Sequence, residues 1–168
     1  GSRVTICGRR AEKIDSAQKK MGSACCGVVG DITVDGDRQR IIAAAVAHGG
    51  GLHALINNAG NMYRGSITEL DQDRLLDVFN TNVVSGMLLT GLAVPHLIKT
   101  EGAVIFLGSI HTRRAFPGAS PYAATKAAVQ ALTRVLAAEL GEKKIRVNCI
   151  LPGAVYTELN QRAGIFDD

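Results

Sequence analysis

A single α/β domain built on a parallel, doubly wound sheet is what this sequence predicts, from three observations. Apolar runs of strand length alternate with longer amphipathic segments, which is the pattern of a parallel sheet covered on both faces. The 168 residues are 46% apolar and 20% charged, enough to bury about two thirds of the surface that the unfolded chain exposes. No linker, repeat or low-complexity tract interrupts the alternation, so residues 1–168 read as one domain.

Taken in order, a strand is expected at residues 4–7 and a helix at 11–21, then a second pair at 24–29 and 37–48. A third pair follows at 52–57 and 71–99, a fourth at 103–108 and 121–140, and a closing strand at 145–151. Chemistry marks the fourth helix at both ends. Ser120 reads as its N-cap and Pro121 as its first helical residue, where a missing N–H is no loss, while Gly141 reads as a left-handed C-cap. Gly49, Gly50 and Gly51 precede a strand, whereas a phosphate cradle must follow one and open a helix so that its N–H groups point at the anion. The cluster therefore reads as a turn, and spacing alone shows no phosphate loop.

Composition narrows the function. The net charge is +4, but the basic residues are scattered as Arg9/Arg10, Lys19/Lys20, Arg113/Arg114 and Lys143/Lys144 among few aromatics, which argues against a nucleic-acid partner. The apolar stretches at 41–47 and at 87–98, the latter broken by Pro95, fall short of the roughly 20 residues of a membrane span, so no membrane partner is expected. Cys7, Cys25, Cys26 and Cys149 contain no Cys-x-x-Cys and follow no secretory signal, so a reducing, cytoplasmic setting is expected. His48, His53 and His96 read as surface or core residues, and no set of side chains has the spacing of a metal site.

Tyr122 and Lys126 stand four apart near the start of the fourth helix, on one face. A phenol with a pKa of about 10 serves as acid and base near neutrality if that value falls by roughly 2–3 units, which requires about 3–4 kcal/mol of phenolate stabilisation. An ammonium about 4 Å away supplies about 1 kcal/mol in water and about 4 kcal/mol at an effective dielectric near 20. The pair thus demands a partly dry cleft, of the kind found where the strands of a doubly wound sheet end. Ser109 follows a predicted strand and is placed to hold a substrate oxygen beside the phenol.

These residues keep particular company. Asn57, Asn58, Ala59 and Gly60 end a predicted strand, Asn82 lies in the long middle helix, Ser109 stands thirteen residues before Tyr122, and Pro152, Gly153, Ala154, Val155, Tyr156 and Thr157 follow the last strand. Together they resemble the short-chain dehydrogenase/reductase family, in the branch with an Asn-Asn-Ala-Gly segment and a Ser/Tyr/Lys/Asn active site. The resemblance runs over residues 4–159. It implies a Rossmann-like fold and an NAD(P)-dependent oxidoreductase that interconverts a carbonyl and an alcohol. Tyr122 would then be the proton donor in reduction, and Lys126 its pKa depressor and a ligand of the nicotinamide ribose. Ser109 would orient the carbonyl. Asn82, kinking its helix, would hold a water that relays protons from Lys126, the plainer alternative being a solvated helix residue. A catalytically silent dinucleotide-binding or scaffold protein of the same fold is the alternative function.

The resemblance also assigns binding residues. Asp31 and Ile32 resemble the adenine-binding pair, although Asp31 read alone is a helix cap. Asn58, Ala59 and Gly60 would flank the adenosine side, and Pro152, Gly153, Val155 and Thr157 would close over the nicotinamide. At the corner where an NAD-selective site places an acid, this chain has Cys7, Gly8, Arg9 and Arg10. A guanidinium there pairs with a 2′-phosphate, so NADP(H) is favoured over NAD(H), unless the two arginines merely begin a solvated helix. His111, two residues after Ser109 on a loop with Arg113, Arg114 and Phe116, is expected to select a polar or acidic carbonyl substrate, or else to be simply exposed.

Two departures from the family follow. Its opening strand, glycine-rich turn and helix have no counterpart here, so a central strand is expected to be wanting and the strands at 4–7 and 52–57 to face a gap, as in a piece of a longer chain. The C-terminal side is short as well, ending within what the family uses as a substrate lid. The expected helices from Asp71 to Lys99 and from Pro121 to Leu140 are richer in Leu, Val and Ala than one sheet face requires, and in the family they form an interface, so a homodimer or homotetramer is expected.

Overall fold

The computed structural model describes residues 1–156, and over them strands and helices alternate as the sequence predicts. β1 (Val4–Gly8) leads into α1 (Ala11–Met21), and β2 (Cys25–Val29) into α2 (Asp35–Gly49). β3 (Ala54–Asn57) leads into α3 (Gln72–Phe79) and α4 (Ser85–Ile98), β4 (Ala103–Leu107) into α5 (Ser120–Gly141), and β5 (Arg146–Ile150) is the last strand among the described residues.

Every pairing is parallel, but the strands form two sheets, β1 with β2 and β3 with β4 and β5. Val4 lies opposite Cys25, Leu55 opposite Val104, and Val104 opposite Val147. Among the described residues no strand joins β1 to β3, so the gap expected between these two edges is present. β3 is correspondingly open, with Ile56 59% exposed, and solvent reaches backbone groups that would be costly if buried unpaired. α2 packs on β1, on β2 and on α4, and thereby holds the two sheets together. The Arg3 guanidinium donates to the His48 carbonyl at 2.9 Å, and the His48 ring bonds the Ala24 carbonyl at 3.1 Å.

Packing explains the local sequence. α1 lies close on β2 because Gly27 has no side chain: a Cβ there would sit 2.5 Å from Ile14 Cγ2. Gly50, with φ of 69°, closes α2 in the left-handed region, so the triple-glycine cluster is the turn expected of it. The main core joins Leu89, Ala93 and Leu97 of α4 to Val104 and Phe106 of β4, Val129 and Leu140 of α5, and Val147 of β5. Each large apolar side chain buried there contributes about 1.5–3 kcal/mol.

Two expectations about α5 are corrected. Its N-cap is Ala119, with Ser120 and Pro121 already inside the first turn. Gly141 is helical, and the left-handed residue falls at Lys144 (φ 57°), whose Nζ bonds Glu101 Oε1 at 2.7 Å. A lysine tolerates that conformation here because the chain must turn at once into Ile145, whose amide bonds the Leu140 carbonyl at 3.2 Å. The long middle helix is continuous from Gln72 to Ile98 but changes to π-helical hydrogen bonding over Asn80–Val84. By length and composition alone this helix is long and apolar enough to cross a membrane. Counting unbroken apolar runs misses it because Asn80, Thr81, Asn82 and Ser85 interrupt them. Here the helix packs against the sheet, with Val78, Leu89, Ala93 and Leu97 among its buried residues.

Gly102 tests the packing. A Cβ there would fall 2.7 Å from the His53 carbonyl oxygen and 2.7 Å from Leu97 Cδ2. We expect Gly102→Ala to lower stability by about 1–3 kcal/mol, read as a lower denaturant midpoint at unchanged slope. An unshifted midpoint would contradict this packing.

Candidate active site

Because every strand pair is parallel, the carboxyl ends of the strands in each sheet lie along one rim, and many of the residues singled out in the sequence follow those ends. Arg9 follows β1, Asp31 and Ile32 follow β2, Asn58, Ala59 and Gly60 follow β3, Ser109 follows β4, and Pro152, Gly153 and Val155 follow β5. Thr157 lies outside the described residues.

A cleft of about 780 Å³ opens on this rim. Asn58, Gly60, Ser109, His111, Tyr122, Lys126, Pro152, Gly153 and Val155 line it. Ala59 is exposed beside it, and Arg9, Asp31 and Ile32 lie on the neighbouring part of the rim without lining it. Of the loop arginines, Arg114 lines the cleft and Arg113 does not.

Ser109 is 6% exposed and caps the short 3₁₀ turn Ile110–Thr112, its Oγ accepting from the His111 amide at 3.2 Å. The same oxygen lies 3.0 Å from His111 Nδ1. The His111 ring stacks on Phe116 with centroids 4.3 Å apart and meets Tyr122 edge-on at 5.2 Å, so serine, imidazole and phenol form one wall. Burial pushes the Tyr122 phenol above its usual value of 10.0, and a hydrogen bond with Ser109 acts the other way. Lys126, 6% exposed, donates from Nζ to the Leu107 carbonyl at 2.7 Å and lies 5.6 Å from the Tyr122 ring centroid. Burial pulls its ammonium below the usual 10.5, and the nearby Cys149 opposes this. The lowering of the phenol expected from Lys126 is thus corrected in this structure. The ammonium is engaged by a carbonyl, and desolvation governs the tyrosine.

Asn82 sits in the π-helical turn, 7% exposed. The helix changes to π-helical hydrogen bonding at this residue, and such bulges are frequent at functional sites. The amide is used at both ends by protein: Oδ1 accepts from Asn61 N at 2.8 Å, and Nδ2 donates to Asn61 O at 2.9 Å and to Thr125 Oγ1 at 3.0 Å. Thr125 in turn donates to the Tyr122 carbonyl at 2.7 Å. Asn61, Arg64 and Thr125 were missed in the sequence. Thr125 carries a signal, since it shares the inner face of α5 with Tyr122 at three residues' distance. Asn61 and Arg64 carry none, because the loop that holds them has no period.

At the far rim, Arg9 Nη1 lies 3.9 Å from Asp31 Oδ2. Asp31 does not cap α2, which starts from Val34; its Oδ1 accepts from the Thr33 amide at 2.9 Å and from the Thr33 hydroxyl at 2.7 Å. Burial works to raise this carboxyl, but the Thr33 bonds and Arg9 outweigh it and hold it below the usual range. The Ile32 carbonyl accepts from the buried Arg38 at 2.8 Å.

Over residues 1–166 the sequence matches the short-chain dehydrogenase family, and the chain belongs to it. It is 34% identical to human dehydrogenase/reductase SDR family member 4 across 96% of its length, covering 60% of that protein. It is also 34% identical to an uncharacterized oxidoreductase of Methylorubrum extorquens, across 92% of this chain and 62% of that one. A short-chain dehydrogenase structure from Streptomyces avermitilis superposes with a TM-score of 0.86 at 30% identity, over 95% of this chain and 59% of its own. The chain therefore spans about three fifths of the length of the relatives it matches.

The wall beside Tyr122 has a pH signature. Burial, then the Arg64 guanidinium, hold the His111 ring below its usual 6.5. As pH falls the unfolded chain takes that proton first, so stability drops through the window below 6.5 and returns as pH rises. We expect an NMR titration of His111 to give a midpoint under 6.5 that moves up in Arg64→Met. A midpoint at or above 6.5 would contradict this environment.

Proposed function

We propose that the protein is an NADP(H)-dependent oxidoreductase that interconverts a ketone or aldehyde and an alcohol. The observation that carries this reading is the convergence of Ser109, Tyr122 and Lys126 on one largely buried wall at the strand ends. Burial raises the phenol above its usual 10.0, so Tyr122 holds a proton for a carbonyl oxygen. Ser109 orients that oxygen, and Lys126 is placed for the nicotinamide ribose. Asn82 acts from the π-helical turn, fixing Asn61 and the start of α5. A bound nicotinamide would supply the hydride. Pro152, Gly153 and Val155 would face it, with Thr157 in the same role from outside the described residues.

The residues around Lys126 leave room for the nicotinamide end of a dinucleotide. Gly60 leaves space that a Cβ would fill 3.1 Å from Asn82 Oδ1 and 3.8 Å from Lys126 Nζ. Asn58 and Ala59 would flank the adenosine with it, while Asp31 and Ile32 would meet the adenine. Arg9 is 73% exposed at the end of β1 with no acid beside it in sequence, which supports the preference for a 2′-phosphate. Leu76, Val84, Met87 and Leu88 on the middle helix and Val135 on α5 are exposed, and this supports a homo-oligomer through those two helices. A cytoplasmic setting belongs to the same proposal.

NADPH is expected to raise the melting temperature, and addition of a carbonyl compound to consume its absorbance. Stabilisation without turnover across a broad carbonyl panel would instead make this a silent dinucleotide-binding or scaffold protein. Arg9→Ala is expected to lower the NADPH to NADH ratio of kcat/KM by about tenfold or more. An unchanged ratio would remove Arg9 from the cofactor site.

A further inference from the structure

The substrate side of the cleft carries charge without a counterpart. Arg64, from the loop after β3, and Arg114, from the loop after β4, both line it, with Met62, Ile110 and Phe116. Arg64 Nη2 donates to the Pro117 carbonyl at 3.3 Å, which ties the two loops at this point and leaves most of its guanidinium donors unused. Among the described residues no aspartate or glutamate lines the cleft, and none forms an ion pair with Arg64 or Arg114. The other two basic side chains of the cleft do not change this balance. Lys126 donates to the Leu107 carbonyl, and burial, then Arg64, lower the His111 ring below its usual 6.5.

Two unpaired guanidinium groups over an apolar floor are costly to dry out when a neutral molecule fills the cleft. An anion offsets that cost, and the guanidinium fork matches a carboxylate with two parallel hydrogen bonds. We infer that the substrate is a carbonyl compound bearing a carboxylate, bound by Arg64 and Arg114 while its carbonyl lies at Ser109 and Tyr122. This rests on the oxidoreductase reading above and specifies the substrate class of that site. His111 lines the same cleft and touches both Ser109 and Tyr122 of the reacting wall.

The test compares kcat/KM of the intact protein for ω-oxo carboxylic acids of graded length and for carboxybenzaldehyde, each against its own methyl ester. At least one acid is expected to exceed its ester by about tenfold or more, chiefly through a lower KM. Arg64→Met and Arg114→Met should each cut the acid to ester ratio by about 10- to 100-fold, whereas Arg113→Met, outside the cleft, should leave the ratio where it is. Benzoate should compete with the preferred acid in the wild type and lose potency in the double variant. Equal kcat/KM for acids and esters, or a preference that survives the double variant, would overturn the inference while the oxidoreductase reading stands. Failure to reduce acids and esters alike, with NADPH still stabilising the protein, would overturn both.

Discussion

One buried side-chain amide holds the site in shape. Asn82 bonds both backbone groups of Asn61 and the hydroxyl of Thr125, so a single residue ties the loop after β3, the middle helix and the second turn of α5. A buried polar group is stabilising only when its partners are all supplied, and each partner lost costs about 1–3 kcal/mol. The π-helical turn at Asn80–Val84 makes this possible. It is from this turn that the amide reaches Asn61 and Thr125.

From that tie the rest of the wall follows. Thr125 passes the constraint to the Tyr122 carbonyl, Lys126 is drawn to Leu107 at the end of β4, and Ser109 is fixed by its own turn and by His111. The same burial that orders these groups moves their protonation in opposite senses. Desolvation disfavours whichever form is charged, so the phenol rises and the ammonium falls. A protonated phenol suits the giving of a proton to a carbonyl.

Much of this was legible in the sequence because it is local or periodic. The alternation of apolar runs gave each strand and helix to within a few residues, and the parallel direction then put Arg9, Asp31, Asn58, Ser109 and Pro152 after the carboxyl ends of their strands without further information. The open edge between β1 and β3 was legible from the resemblance of the remaining segments to a known strand order. What escaped notice depends on contacts distant in sequence. Asn61 and Arg64 sit on an aperiodic loop, and their roles arise from Asn82 and from the cleft opposite. Gly141 was misread because the turn after α5 is set by Ile145 reaching back to Leu140, which places the left-handed residue at Lys144 instead. The hold of Leu107 on Lys126 was invisible for the same reason, since a backbone carbonyl leaves no mark on residue identity.

The claim on which the functional account stands is that the Tyr122 phenol delivers the proton within an otherwise intact cofactor site. Tyr122→Phe removes one oxygen from that wall and little else. The account predicts that this variant keeps its NADPH-dependent rise in melting temperature while its rate of carbonyl reduction falls by about a hundred- to ten-thousand-fold. A variant that binds NADPH and reduces carbonyl compounds at a rate close to wild type would contradict it.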